Sequence, residues 1–535
     1  MSPLVPRPAA TLILLRQGPE VLMLQRAQTA AFLGGAYVFP GGALDPEDHS
    51  PHRVLGLTEA QANERLKLTS GGLAHYVAAI RECFEEAGVL LATDATGAPI
   101  SSERAEKLVH WRKKPFRNML EAEDLYLPAG ELAYYGHWIT APGRSRRFDA
   151  RFFVAIAPEG QQGSHDADET VHDIWITPRE ALERCARGEI ELVHATQVSL
   201  KDLARFSDPR AAFEHVRALP EIEENRACWA QGREGPKIFR RADPPYFEIH
   251  WSDPDETGET RYDIIPGEPK RLDRWVTRIT APNPGMMTGP GTNSYIVGGV
   301  AVIDPGPAVD SHIEKLAQFE GLRFILCTHT HLDHSPAAAL LKAKTGAKVL
   351  GRPAPAGQDA TFKPDAVLEN GQRVQVDGTR GSITLRAIHT PGHASNHVCY
   401  MLEQTKMLFT GDHVMQGSTV VINPPDGNMR AYLRSLEQLQ GEDIAIIAPG
   451  HGYLIGAPHK ELRRLIAHRL NRERKVVAAL ERLGHPSLEE MLPLVYDDVP
   501  QRVHRVAARS LTAHLEKLVA DGAVRARNGG YSLVK

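Results

Sequence analysis

At 535 residues the chain is too long for one ordinary core and implies two to four domains. Its 42% hydrophobic and 24% charged residues exclude a disordered polymer, and a formal net charge of −4 excludes a global bias toward nucleic acid or membrane. Five scattered cysteines without a C-x-x-C pair exclude a disulfide scaffold or cysteine zinc ribbon and point to a reducing cytoplasm. No apolar run approaches the ~20 residues of a spanning helix, so no membrane association is expected.

The elements follow in chain order. TLILL and VLMLQRA read as opening strands rather than a secretory signal, and a Gly-rich turn, Phe39-Pro40-Gly41-Gly42, follows them. LAHYVAAIRECFEEA, residues 73–87, has a helical period and stops at Gly88 in C-cap position. A second long helical stretch is expected around 101–124, then strands near 132–140 and 151–157. Trp175 to Cys185 reads as a strand end feeding a helix with Pro178 in its first turn. Residues 231–270, rich in Pro, Gly, Asp and Glu, have the composition of a linker, which places a boundary near 265.

From 293 onward short apolar strands end in polar loops, the pattern of a layered α/β domain with chemistry at strand ends. Residues 461–535 hold 14 Lys/Arg against 9 Asp/Glu, a local +5 that leaves −9 upstream. Their order of helix, helix, helix and hairpin is that of a winged helix. The expected domains are therefore 1–265, 266–460 and 461–535.

Histidine is the unusual count: of 24, eight fall between 329 and 451. Thr328-His329-Thr330-His331-Leu332-Asp333-His334 leaves the apolar run Phe324–Cys327, so four metal-capable side chains crowd one strand-end loop. Two histidines two residues apart in a turn can grip one ion while the Asp and the third His point to another. His393, Asp412 and His451 follow at later strand ends beside glycines that let the backbone approach. Imidazole and carboxylate together suit Zn²⁺, with Fe or Mn as alternatives.

The order H-x-H-x-D-H, later His, Gly-Asp, and Pro-Gly-His-Gly resembles the metallo-β-lactamase superfamily over about 280–455. The resemblance implies an αββα sandwich. It implies that His329, His331 and His393 hold a first metal, that Asp333, His334 and His451 hold a second, and that Asp412 bridges them. Asp333 would also orient the nucleophile and shuttle its proton, with Asp304 as a supporting carboxylate or turn former. His389 and His413 read as supporting or turn residues, and His397 as a supporting or substrate-side residue. Ala281-Pro282-Asn283-Pro284, Gly291-Thr292-Asn293-Ser294-Tyr295 and the terminal HLEKL are similar to the β-lactamase-like protein 2 group, whose members cleave single-stranded RNA. The same core is similar to glyoxalase II thioesterases. The ligands do not choose between phosphodiester and thioester.

Arg81-Glu82-Cys83-Phe84-Glu85-Glu86 places three carboxylates on one helix face and Arg81 four residues before Glu85. Clustered carboxylates repel unless cations neutralise them, and oxygen ligands favour Mg²⁺ or Mn²⁺. With Gly41 and Glu47, Arg81 to Val89 resembles a Nudix box split by an insertion: 33 residues separate Glu47 from Arg81, where the family has seven. The resemblance covers about 8–190 and implies an α/β/α sandwich related to hydrolases of coenzyme A. In it Glu82, Glu85 and Glu86 hold the metal, Glu85 and Glu86 act in catalysis, and Glu47 and Glu169 are further carboxylates. The insertion leaves a non-catalytic binding role open.

The expectation is a cytoplasmic metal-dependent hydrolase fused to a Nudix-like domain. Its substrate would be a small molecule such as a thioester or coenzyme A derivative, or alternatively RNA. The winged helix would contact RNA, the hydrolase domain or the partner of a homodimer.

Overall fold

A computed structural model describes residues 4–28, 34–50, 52–166, 170–378 and 381–534, so Glu169 lies outside the described residues. Contacts divide the chain into Met1–Trp229 and Ala230–Lys535. None of the described helices is long and apolar enough to cross a membrane.

In the first unit the opening strand Arg7–Arg16 is buried on both faces because its apolar residues are consecutive. Leu12 and Leu14 join Tyr76, Ile80 and Phe84 on one side of the sheet. Ile13 and Leu15 join Phe213 and Val216 on the other. The strand runs parallel to Phe148–Ile156, with Leu12 opposite Phe153, and antiparallel to Glu20–Arg26. Among the described residues the sheet has eight strands. The helix Gly72–Ala87 covers one face. The helices Pro178–Ala186, His194–Leu203 and Pro209–Arg217 cover the other. This is the expected α/β/α sandwich.

Gly71 precedes the helix Gly72–Ala87 and supplies no capping side chain. The insertion supplies one: Glu59, on the helix Glu59–Leu66, accepts from the backbone N–H of Gly71 (2.6 Å), Gly72 (3.2 Å) and Leu73 (3.0 Å). A carboxylate there also meets the positive end of the helix dipole.

The single long helix expected around 101–124 is broken into Ser102–Leu108, a 3₁₀ turn Val109–Trp111, and Phe116–Ala122. Pro115 explains the break, because its ring disfavours helical geometry at the preceding residue.

The second unit contains two sheets, of seven and five strands among the described residues. Tyr295, Val297, Ile303 and Leu326 of the first interleave with Leu385, Val398, Tyr400 and Phe409 of the second. Outside the first sheet lie Ile313 and Leu316 of the helix Asp310–Ala317 and Leu341 of Ala337–Thr345. Outside the second lie Tyr432 and Leu436 of Met429–Gln440. The layers are αββα, as expected.

The segment 231–270, read as a linker, falls within this unit. The helix Tyr246–Ser252 carries Glu248, whose side chain is fully buried. Arg278 donates to it at 2.5 and 3.0 Å, Lys270 at 2.7 Å and the Leu454 N–H at 3.1 Å. A buried carboxylate is tolerated only with such partners, so this contact holds the segment to the sheet.

The chain ends in helices Pro458–Leu483, Leu488–Val495 and His504–Ala520 and the hairpin Val524–Arg527/Gly530–Leu533. Val476, Leu480, Met491, Leu511, Leu515 and Val524 form their shared core, in the winged-helix order.

Candidate metal centre and carboxylate cluster

The strand Phe324–Leu326 delivers the loop that carries His329, His331, Asp333 and His334. Asp304, just beyond Ala301–Ile303, shapes it from a left-handed backbone (φ 53°). It accepts from the Thr328 N–H at 2.7 Å and Thr328 Oγ1 at 2.8 Å, and its Oδ2 lies 2.9 Å from His334 Nδ1. That contact turns His334 Nε2 toward the site. Asp304 thus holds both the turn at Thr328 and the ring of His334.

His393 follows the strand Gly381–His389, and its Nδ1 lies 2.8 Å from the Val421 carbonyl. His451 follows Ile446–Pro449, with Nδ1 3.1 Å from the Gly291 carbonyl. A carbonyl can only accept, so each contact fixes a proton on Nδ1 and turns Nε2 toward the site. Asp412 follows Met407–Gly411. Gly450 must lack a side chain, because a Cβ there would fall 2.7 Å from Asp412 Oδ1 and from His334 Cε1.

Two ligand sets result: His329, His331, His393 and Asp412, and Asp333, His334, Asp412 and His451. In each the ligand atoms lie within 4.8 Å of one another. In the first, His331 Nδ1 stands 3.0 Å from both His329 Nε2 and His393 Nε2. Burial lowers His331 to about 4 and holds His329 and His393 below the ordinary histidine range, so these rings are neutral at pH 7. In the second, His451 Nε2 lies 3.3 Å from Asp333 Oδ2 and 3.2 Å from Asp412 Oδ1. Burial pulls His451 down, but Asp412 and Asp333 outweigh it and raise it to about 9. Positive charge is therefore favoured between these carboxylates. His334 Nε2, Asp412 Oδ1 and His451 Nε2 are buried without a hydrogen-bond partner, and a divalent cation would satisfy all three. The residues fit a pair of divalent ions sharing Asp412.

Three clustered histidines are not ligands in this geometry. His397 is buried and stacks on His329 with ring centroids 5.1 Å apart, while Thr390 holds its Nδ1 at 3.0 Å. It therefore supports the site from behind. His413 is buried beside Tyr432, and burial lowers it to about 3. His389 is half-buried and meets the Ser395 carbonyl at 3.2 Å. A residue not singled out from sequence is Thr292: its hydroxyl donates to Asp333 Oδ2 at 3.4 Å and accepts from Asn283 Nδ2 at 2.9 Å. The motif containing both was visible, but its fold back onto Asp333 was not.

In the first unit Arg81 occupies the middle of the acidic cluster. Its Nη1 donates to Glu82 Oε1 at 2.9 Å and to Glu85 Oε2 at 2.8 Å. Its Nε and Nη2 donate to the two Asp48 oxygens at 2.9 Å each. Glu86 instead accepts from the Gly41 N–H at 2.9 Å. Burial raises Glu82 to about 7 against the opposing pull of Arg81, and raises Glu85 as well. Among the described residues these carboxylates are not gathered within 4.8 Å as the histidine sets are. Glu47 presents its backbone carbonyl to His52, and its neighbour Asp48 takes the Arg81 contact. Sequence reasoning missed Asp48 because its partner Arg81 lies 33 positions away along the chain.

Imidazoles and carboxylates converging at the strand ends of an αββα sandwich define a class, the metal-dependent hydrolases. Residues 287–451 match the metallo-beta-lactamase superfamily, 57–203 the NUDT19 Nudix domain, and 487–530 the beta-lactamase associated winged helix domain. Lactamase-like protein aptB of Emericella nidulans is 30% identical over 299 residues, which cover 52% of this chain and 91% of that protein. A beta-lactamase-like protein 2 homolog of Caenorhabditis elegans is 30% identical over 270 residues, 48% of this chain and 88% of that one. The atrochrysone carboxyl ACP thioesterase of Aspergillus chevalieri is 30% identical over 306 residues, 53% and 93% of the two chains. The chain belongs to the metallo-beta-lactamase superfamily and carries a Nudix domain before it and a winged helix after it.

Proposed function

We propose that the second unit is a dinuclear thioesterase. Its substrate would be an acyl group held in thioester linkage to a coenzyme A or carrier-protein thiol. The carrying observation is the pair of ligand sets that share Asp412 and leave Asp333 between His451 and the Thr292 hydroxyl. His329, His331 and His393 would hold one ion with Asp412, and Asp333, His334 and His451 the other. Two bound divalent ions, Zn²⁺ or alternatively Fe or Mn, would lower the pKa of a bound water and polarise the substrate carbonyl. Asp333 would orient that water and accept its proton, with Thr292 donating to the same Oδ2 that faces His451. The thioesterase names of relatives such as the Aspergillus chevalieri protein support this substrate class.

In this reading the Nudix unit uses Glu82, Glu85 and Glu86 to bind Mg²⁺ or Mn²⁺ and hydrolyses a nucleoside-diphosphate-linked compound such as coenzyme A. The acidic excess around Arg81 supports a bound cation. The two activities would then meet on one ligand.

Acyl-coenzyme A and acyl-glutathione hydrolysis by zinc-loaded protein tests the first reading. Turnover no greater than that of Asp333→Ala rejects it. Mg²⁺-dependent phosphoanhydride cleavage of coenzyme A, lost in Glu86→Gln, tests the second; its absence leaves the Nudix unit a binding module. The resemblance to the β-lactamase-like protein 2 group supports a single-strand ribonuclease as the alternative. Intact single-stranded RNA after incubation with metal-loaded protein rejects that alternative.

A further inference from the structure

The winged helix was open to two roles, contact with RNA or packing. Its third helix, His504–Ala520, is the element a nucleic-acid-binding winged helix would present to a groove. Here two of its faces are buried. Leu511, Leu515 and Leu518 fill the winged helix's own core. Ala513 packs into the outer core of the hydrolase with Val420, Ile422, Leu462 and Leu465.

The segment Val420-Val421-Ile422 is the contact point, and its middle carbonyl holds a candidate metal ligand. Val421 O lies 2.8 Å from His393 Nδ1. On one side of it, the buried Arg469 of the helix Pro458–Leu483 donates from Nη2 to Val420 O. On the other side, the Ile422 N–H donates to Ser510 Oγ of the winged helix at 3.4 Å. The Arg469 guanidinium also lies 5.3 Å from the centroid of the Tyr432 ring. Tyr432 in turn braces both sides of the site. Its hydroxyl donates to the carbonyl of His413, next to Asp412, at 3.1 Å. Its backbone sits so close to Gly392, next to His393, that a Cβ there would fall 2.3 Å from Tyr432 Cα. Few of these contacts could be read from sequence, since Arg469 stands 76 positions after His393.

We infer that Arg469 and Ser510 are positioning residues through which the terminal helices set the His393 ring, so that the winged helix is a structural part of the first metal set rather than a nucleic-acid-binding appendage. The inference rests on the dinuclear reading but not on the choice of substrate. It concerns one ion of the two: the carbonyl that Arg469 and Ser510 flank meets His393, which belongs to the first set alone, whereas Asp333, His334 and His451 are oriented by Thr292, Asp304 and Gly291 from the opposite sheet.

The test is a zinc titration of metal-stripped full-length protein against a chromophoric chelator, with thermal unfolding recorded for each variant. Arg469→Met keeps the apolar stem and removes the donors. It is expected to weaken one of two zinc equivalents by about 10–100-fold, the usual cost of losing a partner that orients a metal ligand. It should weaken the same equivalent as His393→Asn, with no further loss in the double variant. Arg469→Lys is expected to restore most of the affinity. Ser510→Ala should weaken that equivalent several-fold. A folded Arg469→Met protein that binds two equivalents as tightly as wild type overturns the inference, and so does equal weakening of both. If Arg469→Met does not fold, an unchanged titration of Ser510→Ala overturns it. A wild-type protein that takes up no zinc overturns the dinuclear reading itself, which separates the two failures.

Discussion

Glu248→Ala tests whether the segment read as a linker is part of the hydrolase core. The side chain is completely buried, and its loss leaves Arg278, with 2% side-chain exposure, as an uncompensated buried charge. Removing one partner of a buried ion pair costs about 3–5 kcal/mol. An independent route gives a similar figure. Burial alone would raise the Glu248 carboxyl, but Arg278 and Lys270 outweigh it and hold it at about 2, against an ordinary 4.5. That gap corresponds to roughly 3 kcal/mol. The folded value lies below the unfolded one, so this stability is fully present above about pH 4.5 and is lost as pH falls toward 2. Urea unfolding followed by tryptophan fluorescence suits the measurement, because Trp251 and Trp275 pack against the same core. Wild type should lose stability between pH 4.5 and the acid limit faster than Glu248→Ala does. The triple variant Glu248→Met/Lys270→Met/Arg278→Met should recover much of the loss, since replacing all three partners leaves no orphaned charge. A loss under about 1 kcal/mol at pH 7, or the same acid slope in both proteins, would refute the assignment of this segment to the core.

Other outcomes follow from the same geometry. Asp333→Ala should lower thioester turnover by about 10²–10⁴-fold while one zinc equivalent is retained, measured by steady-state kinetics and elemental analysis. Asp304→Asn weakens the hold on Thr328 and His334, so zinc affinity should fall about 10–100-fold in a chelator competition, with the second set affected first. Glu59→Ala removes the cap on the helix Gly72–Ala87 and should cost about 1 kcal/mol in the unfolding transition of the Nudix unit. Chelator treatment should abolish turnover, and added zinc should restore it.

Much of the centre was legible because its ligands are carried in short motifs. His329, His331, Asp333 and His334 occupy one loop, and glycine flanks His393, Asp412 and His451, so order and residue type alone pointed to a metal. The strands were legible for a related reason: period and apolar content report burial locally. The break at Pro115 was a local signal too, outweighed by the helical period around it.

What the sequence by itself determined is the set of groups that a metal would need, the three domain families, and the strands that carry them. What only the tertiary structure decided is how those groups are held. Asp48 rather than Glu47 meets Arg81, Glu59 caps a helix across an insertion, Glu248 ties a Pro-rich segment into the sheet, and Arg469 and Ser510 brace the backbone under His393. The physical reason is range. Ligand type and element period are written in neighbouring residues, whereas a buried charge or an orienting hydrogen bond takes its partner from wherever packing brings one within about 3 Å.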